Sequence, residues 1–212
     1  MKIRILLAGL LLLASTSAAL ASGPYIGLAG GITIAHDADS EETAFYDGVA
    51  YKMNSTVEYD AGFGVNASVG YDFQPVRVEF EFGYKKNDVD KLDVPFSYSE
   101  SGDIQVTSYM LNVLYDFNTY SRFTPYAGAG IGLLRGKLKG SAYVFDYGKI
   151  GYTGSDTELG YQVIIGAAFH IDTHFALDLS YRFLHAPSDF SASGMDIEYS
   201  SSNLMVGLRL KF

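Results

Sequence analysis

The chain has 212 residues, no cysteine, and 24 acidic against 15 basic residues, for a formal net charge of −9. Without cysteine, nothing in the fold depends on the redox state of its compartment. The acidic balance argues against nucleic acid as a partner, because neutralising phosphates takes clustered Lys and Arg.

Residues 1–21 read as a secretory signal peptide. Lys2 and Arg4 form a basic n-region, Ile5–Leu13 an apolar core, and Ala19-Leu20-Ala21 a small-residue cleavage site. The apolar core is too short to span a bilayer as a helix. Cleavage after Ala21 leaves residues 22–212, one domain's worth of chain, with 13 basic and 24 acidic residues.

Eight alternating segments follow. In Tyr25–Ile34, Ile26, Leu28, Ile32 and Ile34 face one way and Tyr25, Gly27, Ala29 and Gly31 the other. Gly62–Phe73 sets Phe63, Val65, Val69, Tyr71 and Phe73 against Gly62, Gly64, Asn66, Ser68 and Asp72. After a turn at Gln74-Pro75, Val76–Tyr84 places Arg77, Glu79 and Glu81 between Val78, Phe80 and Phe82, a spacing no helix produces. Val106–Phe117 opposes Tyr109, Leu111, Val113, Tyr115 and Phe117 to Ser108, Met110, Asn112, Leu114 and Asp116. Thr124–Arg135 and Leu159–Ile171 continue the pattern, the first with Gly128, Gly130 and Gly132 on one face. A turn at Asp172–His174 opens a seventh segment, where Phe175, Leu177, Leu179, Tyr181 and Phe183 oppose Asp178, Ser180 and Arg182. The last, Asn203–Phe212, carries Leu204, Val206, Leu208, Leu210 and Phe212 on one side and Arg209 and Lys211 on the other.

The connections sort themselves. Those at Gln74-Pro75, Asn118–Arg122 and Asp172–His174 are short; residues 35–60, 86–103, 136–158 and 185–199 form long polar ones. Strict alternation of long and short connections is the layout of an up-and-down barrel, not of a Greek-key sandwich. The facing of the strands separates membrane from water. Eight strands enclose an interior just wide enough for side chains, which suits the small and charged set and not the large aromatics. The chain is therefore expected to fold as an eight-stranded antiparallel up-and-down transmembrane β-barrel, with its apolar face toward lipid and Tyr71, Tyr115, Phe117 and Phe175 near the periplasmic rim.

Gly23-Pro-Tyr-Ile-Gly27, Val69-Gly-Tyr-Asp-Phe73, Pro125-Tyr-Ala-Gly-Ala-Gly-Ile-Gly132, Tyr181-Arg-Phe183 and the terminal Phe212 resemble porin-family outer-membrane β-barrels. That family includes the transmembrane domain of outer membrane protein A and bacterial surface antigens. The resemblance implies a Gram-negative outer membrane, contact with its lipids and lipopolysaccharide, extracellular loops, and a C-terminal strand (Leu204, Val206, Leu208, Leu210, Phe212) read by the barrel-assembly machinery. It implies no enzyme, cofactor or particular ligand. The function expected is a non-enzymatic surface protein, a surface antigen or an adhesin for a host or matrix ligand. A narrow porin is the first alternative and a lipid-modifying enzyme the second.

Candidate chemistry is sparse. His185, Ser188 and Asp189 invite a catalytic reading, but Pro-Ser-Asp is also ordinary turn chemistry. His170 and His174, at i and i+4, would converge on a metal only on a helix. The glycines of Gly128–Gly132 lie within a strand, where they leave room in a lumen rather than cradle phosphate. Residues 35–60 hold seven carboxylates and one Lys, and residues 185–199 three carboxylates and no Lys or Arg. Such loops are either solvated and self-repelling or receptive to divalent cations and basic partners. The inward charges Arg77, Glu79, Glu81, Asp178, Arg182 and Arg209 are expected to pair and plug the lumen, Asp178 with Arg209. Gly207→Ser, on the same side, is expected to be mild.

Overall fold

The computed structural model describes residues 22–36, 38–46, 49–92, 97–117, 121–144, 148–192 and 195–212; the expected signal peptide lies outside them. Ten antiparallel strands form among these residues: β1 (Gly23–Ala35), β2 (Ala38–Tyr46), β3 (Val49–Tyr59), β4 (Gly62–Asp72), β5 (Val76–Leu92), β6 (Ser97–Asp116), β7 (Phe123–Val144), β8 (Gly148–His170), β9 (Phe175–Ala192) and β10 (Met195–Lys211). Eight of them close a barrel in the order β1-β4-β5-β6-β7-β8-β9-β10, with β10 returning to β1. The ring has no free edge, so every wall strand has two pairing partners. β2 and β3 continue the first hairpin beyond it, and β3 leans on the outer end of β5 through Val57, Glu58 and Tyr59.

Alternation sets the faces, and burial follows it. Leu28, Phe80, Leu111, Ile131, Leu179 and Leu208 are exposed on the outer wall, and their neighbours in sequence turn inward. Two aromatic belts bound this apolar band. Near the short turns, Tyr71 packs on Phe73 and Tyr115 on Phe117; near the long hairpins, Phe63 meets Tyr84 and Phe82 meets Tyr109. Phe63 and Phe73 are separated by ~33 Å along the strand, or ~25 Å along the barrel axis at a tilt of about 40°, the height of an outer-membrane apolar band.

At the short-turn end, the Asp72 carboxylate accepts the N–H of Gln74, which takes a left-handed φ of 36°. Asp172 accepts the N–H groups of Phe175 and His174, and these two bonds hold its carboxyl below the usual range.

The expected long polar loops are corrected at the opposite end. β7 and β8 stay paired from Phe123 opposite Phe169 out to Val144 opposite Gly148, and β5 and β6 out to Val89 opposite Gly102. Above the membrane the outer face meets water, so polar residues appear on it and apolar–polar alternation fades while the backbone ladder continues. The first connection likewise holds its own hairpin, β2–β3.

A second correction concerns the lumen. Its half nearest the hairpins is filled by an apolar cluster of Ala35, Ile104, Val106, Met110, Leu134, Leu184, Ala186 and Tyr199, all buried. Inward Leu and Met interrupt the polar pattern on their strands because this half is packed like a small soluble core.

Candidate functional site

Below the apolar cluster the lumen is a lattice of charge. β5 directs Arg77, Glu79, Glu81 and Lys85 inward, all but completely buried. Arg77 pairs with Asp116 on the neighbouring β6, Nη2 to Oδ1 2.8 Å, with Nε donating to the same carboxylate. Arg209 on β10 pairs with Asp178 on β9 through Nε and Nη2, both at 3.1 Å. Lys211 reaches across β1 to Asp72 on β4, 2.7 Å away. Glu81 and Arg182 form an ion pair between β5 and β9, which face each other across the full diameter of the barrel.

Neutral groups tie these pairs together. Glu79 accepts from the Tyr25 hydroxyl at 2.8 Å and from Asn112 Nδ2 at 3.0 Å. Gln162 Nε2 donates to Asn112 Oδ1 at 2.7 Å and to Glu81 Oε1 at 3.3 Å. The Asn112 amide occupies the space a Cβ would need at Gly130, on the strand opposite, so that glycine makes room for the network. Tyr25 and Tyr126 lie over Gly70 and Gly166, their cross-strand partners, where an added Cβ would sit 2.6 and 2.5 Å from each ring's Cζ. Between the two rings the Arg77 guanidinium is stacked, 5.8 Å from the Tyr25 centroid and 4.7 Å from that of Tyr126.

The six charges singled out in the sequence thus sit in one lattice with Asp72, Lys85, Asp116 and Lys211, five positive and five negative groups among the described residues. Asp72, Asp116 and Lys211 alternate onto inward faces and were legible there. Lys85 lies one step beyond the expected end of its segment. The lumen opens toward the short turns as a vestibule of about 800 Å³, lined by Asp72, Asp116, His170, Arg209 and Lys211. Past these groups the free space falls to a void of about 40 Å³ among Tyr25, Glu79, Asp178, Arg182 and Arg209, room for about one water.

The other candidates are scattered. His185 faces outward, stacked on Phe183 at 6.3 Å and edge-on to Tyr161 at 5.2 Å. Ser188 is exposed, and the side chain of Asp189 lies outside the described residues. His174 contacts Thr173 in the turn, Nδ1 to Oγ1 3.0 Å, while His170 lines the vestibule. The side chains of the acidic 35–60 segment beyond His36 and before Asp60 lie outside the described residues. On the terminal strand Leu204, Val206 and Leu208 are exposed on the outer wall and Leu210 is half-buried. The exposed Phe212 donates its N–H to the Pro24 carbonyl at 3.0 Å.

Comparison with known proteins places this geometry. A family model described as the outer membrane protein beta-barrel domain matches residues 5–210. Outer membrane protein PagN of Salmonella typhimurium LT2 is 25% identical over 174 residues, covering 71% of this chain and 73% of that protein. A Rickettsia canadensis protein whose name proposes an adhesin is 25% identical over 214 residues, covering 93% and 91%. The crystal structure of Neisserial surface protein A has the same fold, with a TM-score of 0.52 at 20% identity, covering 90% of this chain and 99% of that one.

Proposed function

The chain belongs to the outer membrane protein beta-barrel domain family, and from that premise we propose that it is a non-enzymatic surface protein that attaches through its extracellular hairpins. The barrel lies in the outer membrane of a Gram-negative cell, short turns to the periplasm and long hairpins outside. The observation that supports the reading is a lumen packed with a buried apolar cluster near the hairpins and buried charged groups below it. A narrow porin needs a continuous wet path, and a lipid-modifying enzyme needs its His brought together with a nucleophile. The His185 ring is engaged with Phe183 and Tyr161. What remains to meet a ligand is the hairpins, whose acidic segments suit basic stretches of host or matrix proteins or divalent cations. The adhesin name of one relative supports the same role.

Shortening the hairpins one at a time, with the membrane strands kept, is expected to remove binding of the purified barrel to host cells or matrix proteins for at least one hairpin. Full binding by every shortened form would overturn the reading.

The charge lattice acts here as a plug. The wild-type barrel is expected to give little steady conductance in planar bilayers, and Asp178→Ala, which strands Arg209, to loosen or open it. Stable ohmic channels from the wild type, unchanged by Asp178→Ala, would remove the plug.

Leu204, Val206, Leu208, Leu210 and Phe212 are the strand offered to the barrel-assembly machinery. Deleting Phe212 is expected to reduce the amount inserted in cells while leaving refolding into detergent intact, since only one ladder bond is lost. Undiminished insertion in the deletion strain would count against this role.

A further inference from the structure

On the outward face of β7, directly above the apolar band, every second residue is a cation. Leu133 is the last lipid-facing apolar side chain of the strand, and Arg135, Lys137 and Lys139 follow it at alternate positions. Leu134 is fully buried, so alternation sends the three bases outward, and Arg135 and Lys137 are exposed. At ~6.6 Å between alternate residues they form a row ~13 Å long up the outer wall.

Hydroxyls flank the row on one side, where Thr157, Ser155 and Thr153 of β8 stand opposite Arg135, Lys137 and Lys139. On the other side are Thr107, Gln105 and Asp103 of β6. The Asp103 carboxylate accepts from Gln105 Nε2 at 2.5 Å, and Asp88 on β5 is paired with Lys86 at 3.3 Å. Asp156 and Glu158 alternate onto the opposite face of β8. Among the described residues no carboxylate lies within ion-pair distance of the three bases. A self-repelling row of three exposed cations is a surface that an anion from outside would stabilise.

We propose that Arg135, Lys137 and Lys139, with the Thr153, Ser155 and Thr157 hydroxyls, bind the phosphate groups of lipopolysaccharide in the outer leaflet. The row begins where the apolar band ends, the height of the lipid phosphates, and points sideways into the leaflet rather than up toward the hairpin tips. On the outward side of β1, β9 and β10 near the hairpins, the contacts involve His36, Phe183, His185 and Ser202 instead. The barrel therefore takes phosphorylated lipid on one sector. The inference rests on the outer-membrane orientation alone and is independent of the adhesion reading.

The test is native mass spectrometry of the purified full-length barrel with lipid A, and with lipid A whose phosphates have been removed. The wild type is expected to retain only the phosphorylated form. The triple variant R135Q/K137Q/K139Q is expected to bind it about 100-fold more weakly, at roughly fivefold per base. Arg122→Gln, at the periplasmic rim, is expected to bind as wild type. If the triple variant does not fold, Lys137→Gln alone is expected to weaken binding about fivefold. Unchanged binding in the folded variants, equal loss in Arg122→Gln, or equal retention of dephosphorylated lipid A would overturn the proposal. So would loss of affinity for a sulfated polysaccharide with lipid A binding intact.

Discussion

Arg182→Ala is expected to destabilise the barrel by about 3–5 kcal/mol, the cost of leaving one member of a buried ion pair alone. The Glu81 side chain is 1% exposed, and its carboxylate meets Arg182 across the lumen with Gln162 as its other donor. Removing the guanidinium leaves a buried carboxylate with one amide donor and the neighbouring Lys85 as its remaining cation. The void of about 40 Å³ beside it admits too little water to replace the lost donors. Urea unfolding in detergent, read by heat-modifiable migration, measures the loss. The paired replacement Glu81→Leu with Arg182→Met is expected to recover most of it, because apolar groups of similar volume need no partner. A loss under about 1 kcal/mol in the single variant would mean that the pair is hydrated and the lattice porous.

Leu208→Arg is expected to cost about 2–4 kcal/mol, the penalty for a guanidinium near the bilayer midplane. Leu208 is exposed on the outer wall, opposite Leu28 on β1 and Leu177 on β9, so the charge has only apolar neighbours in its row. Leu179→Arg is expected to behave alike. Unfolding in lipid vesicles tests both, and a near-neutral result in vesicles would reverse the assignment of faces. Gly207→Ser is not the mild control that its lumen-side position suggests. A Cβ there would lie 2.7 Å from the Leu28 carbonyl oxygen and 2.9 Å from the Ala29 Cβ. Backbone cannot yield as a flexible side chain does, so this substitution is expected to cost about 1–3 kcal/mol by overpacking.

The membrane-embedded part of the fold was legible because lipid on one side and a narrow lumen on the other impose a period of two on every strand. Val78, Phe80 and Phe82 alternating with Arg77, Glu79 and Glu81 state their faces without any structure. Three things were less legible. The strands continue past Tyr84, Val106, Arg135 and Leu159, where polar residues also take the outward face and the apolar–polar period fades. Met110, Leu134 and Leu184 look like interruptions of a polar face and are instead the packed upper lumen. Most of all, a contact such as Glu81 with Arg182 joins strands that are not neighbours, and alternation carries no information across the ring. Neighbouring strands are different: counting Asp178 from Phe175 and Arg209 from the end of the last strand brings the two to similar depth.

The seam between β1 and β10 has a kinetic consequence. Eleven opposed pairs, from Tyr25 with Lys211 to Ala35 with Ser201, join the two ends of the chain. Until the final strand is synthesised and docked, β1 and β9 each present an unpaired edge. Contacts between such distant positions come late in folding, because loop closure must be met before they contribute. The nascent protein therefore has no stable half-built form in a bilayer, where an open strand edge leaves donors and acceptors facing hydrocarbon. Without a partner to cover those edges, insertion and closure are expected to be one event, and a chain truncated before the seam is expected to aggregate or be degraded rather than form a smaller barrel.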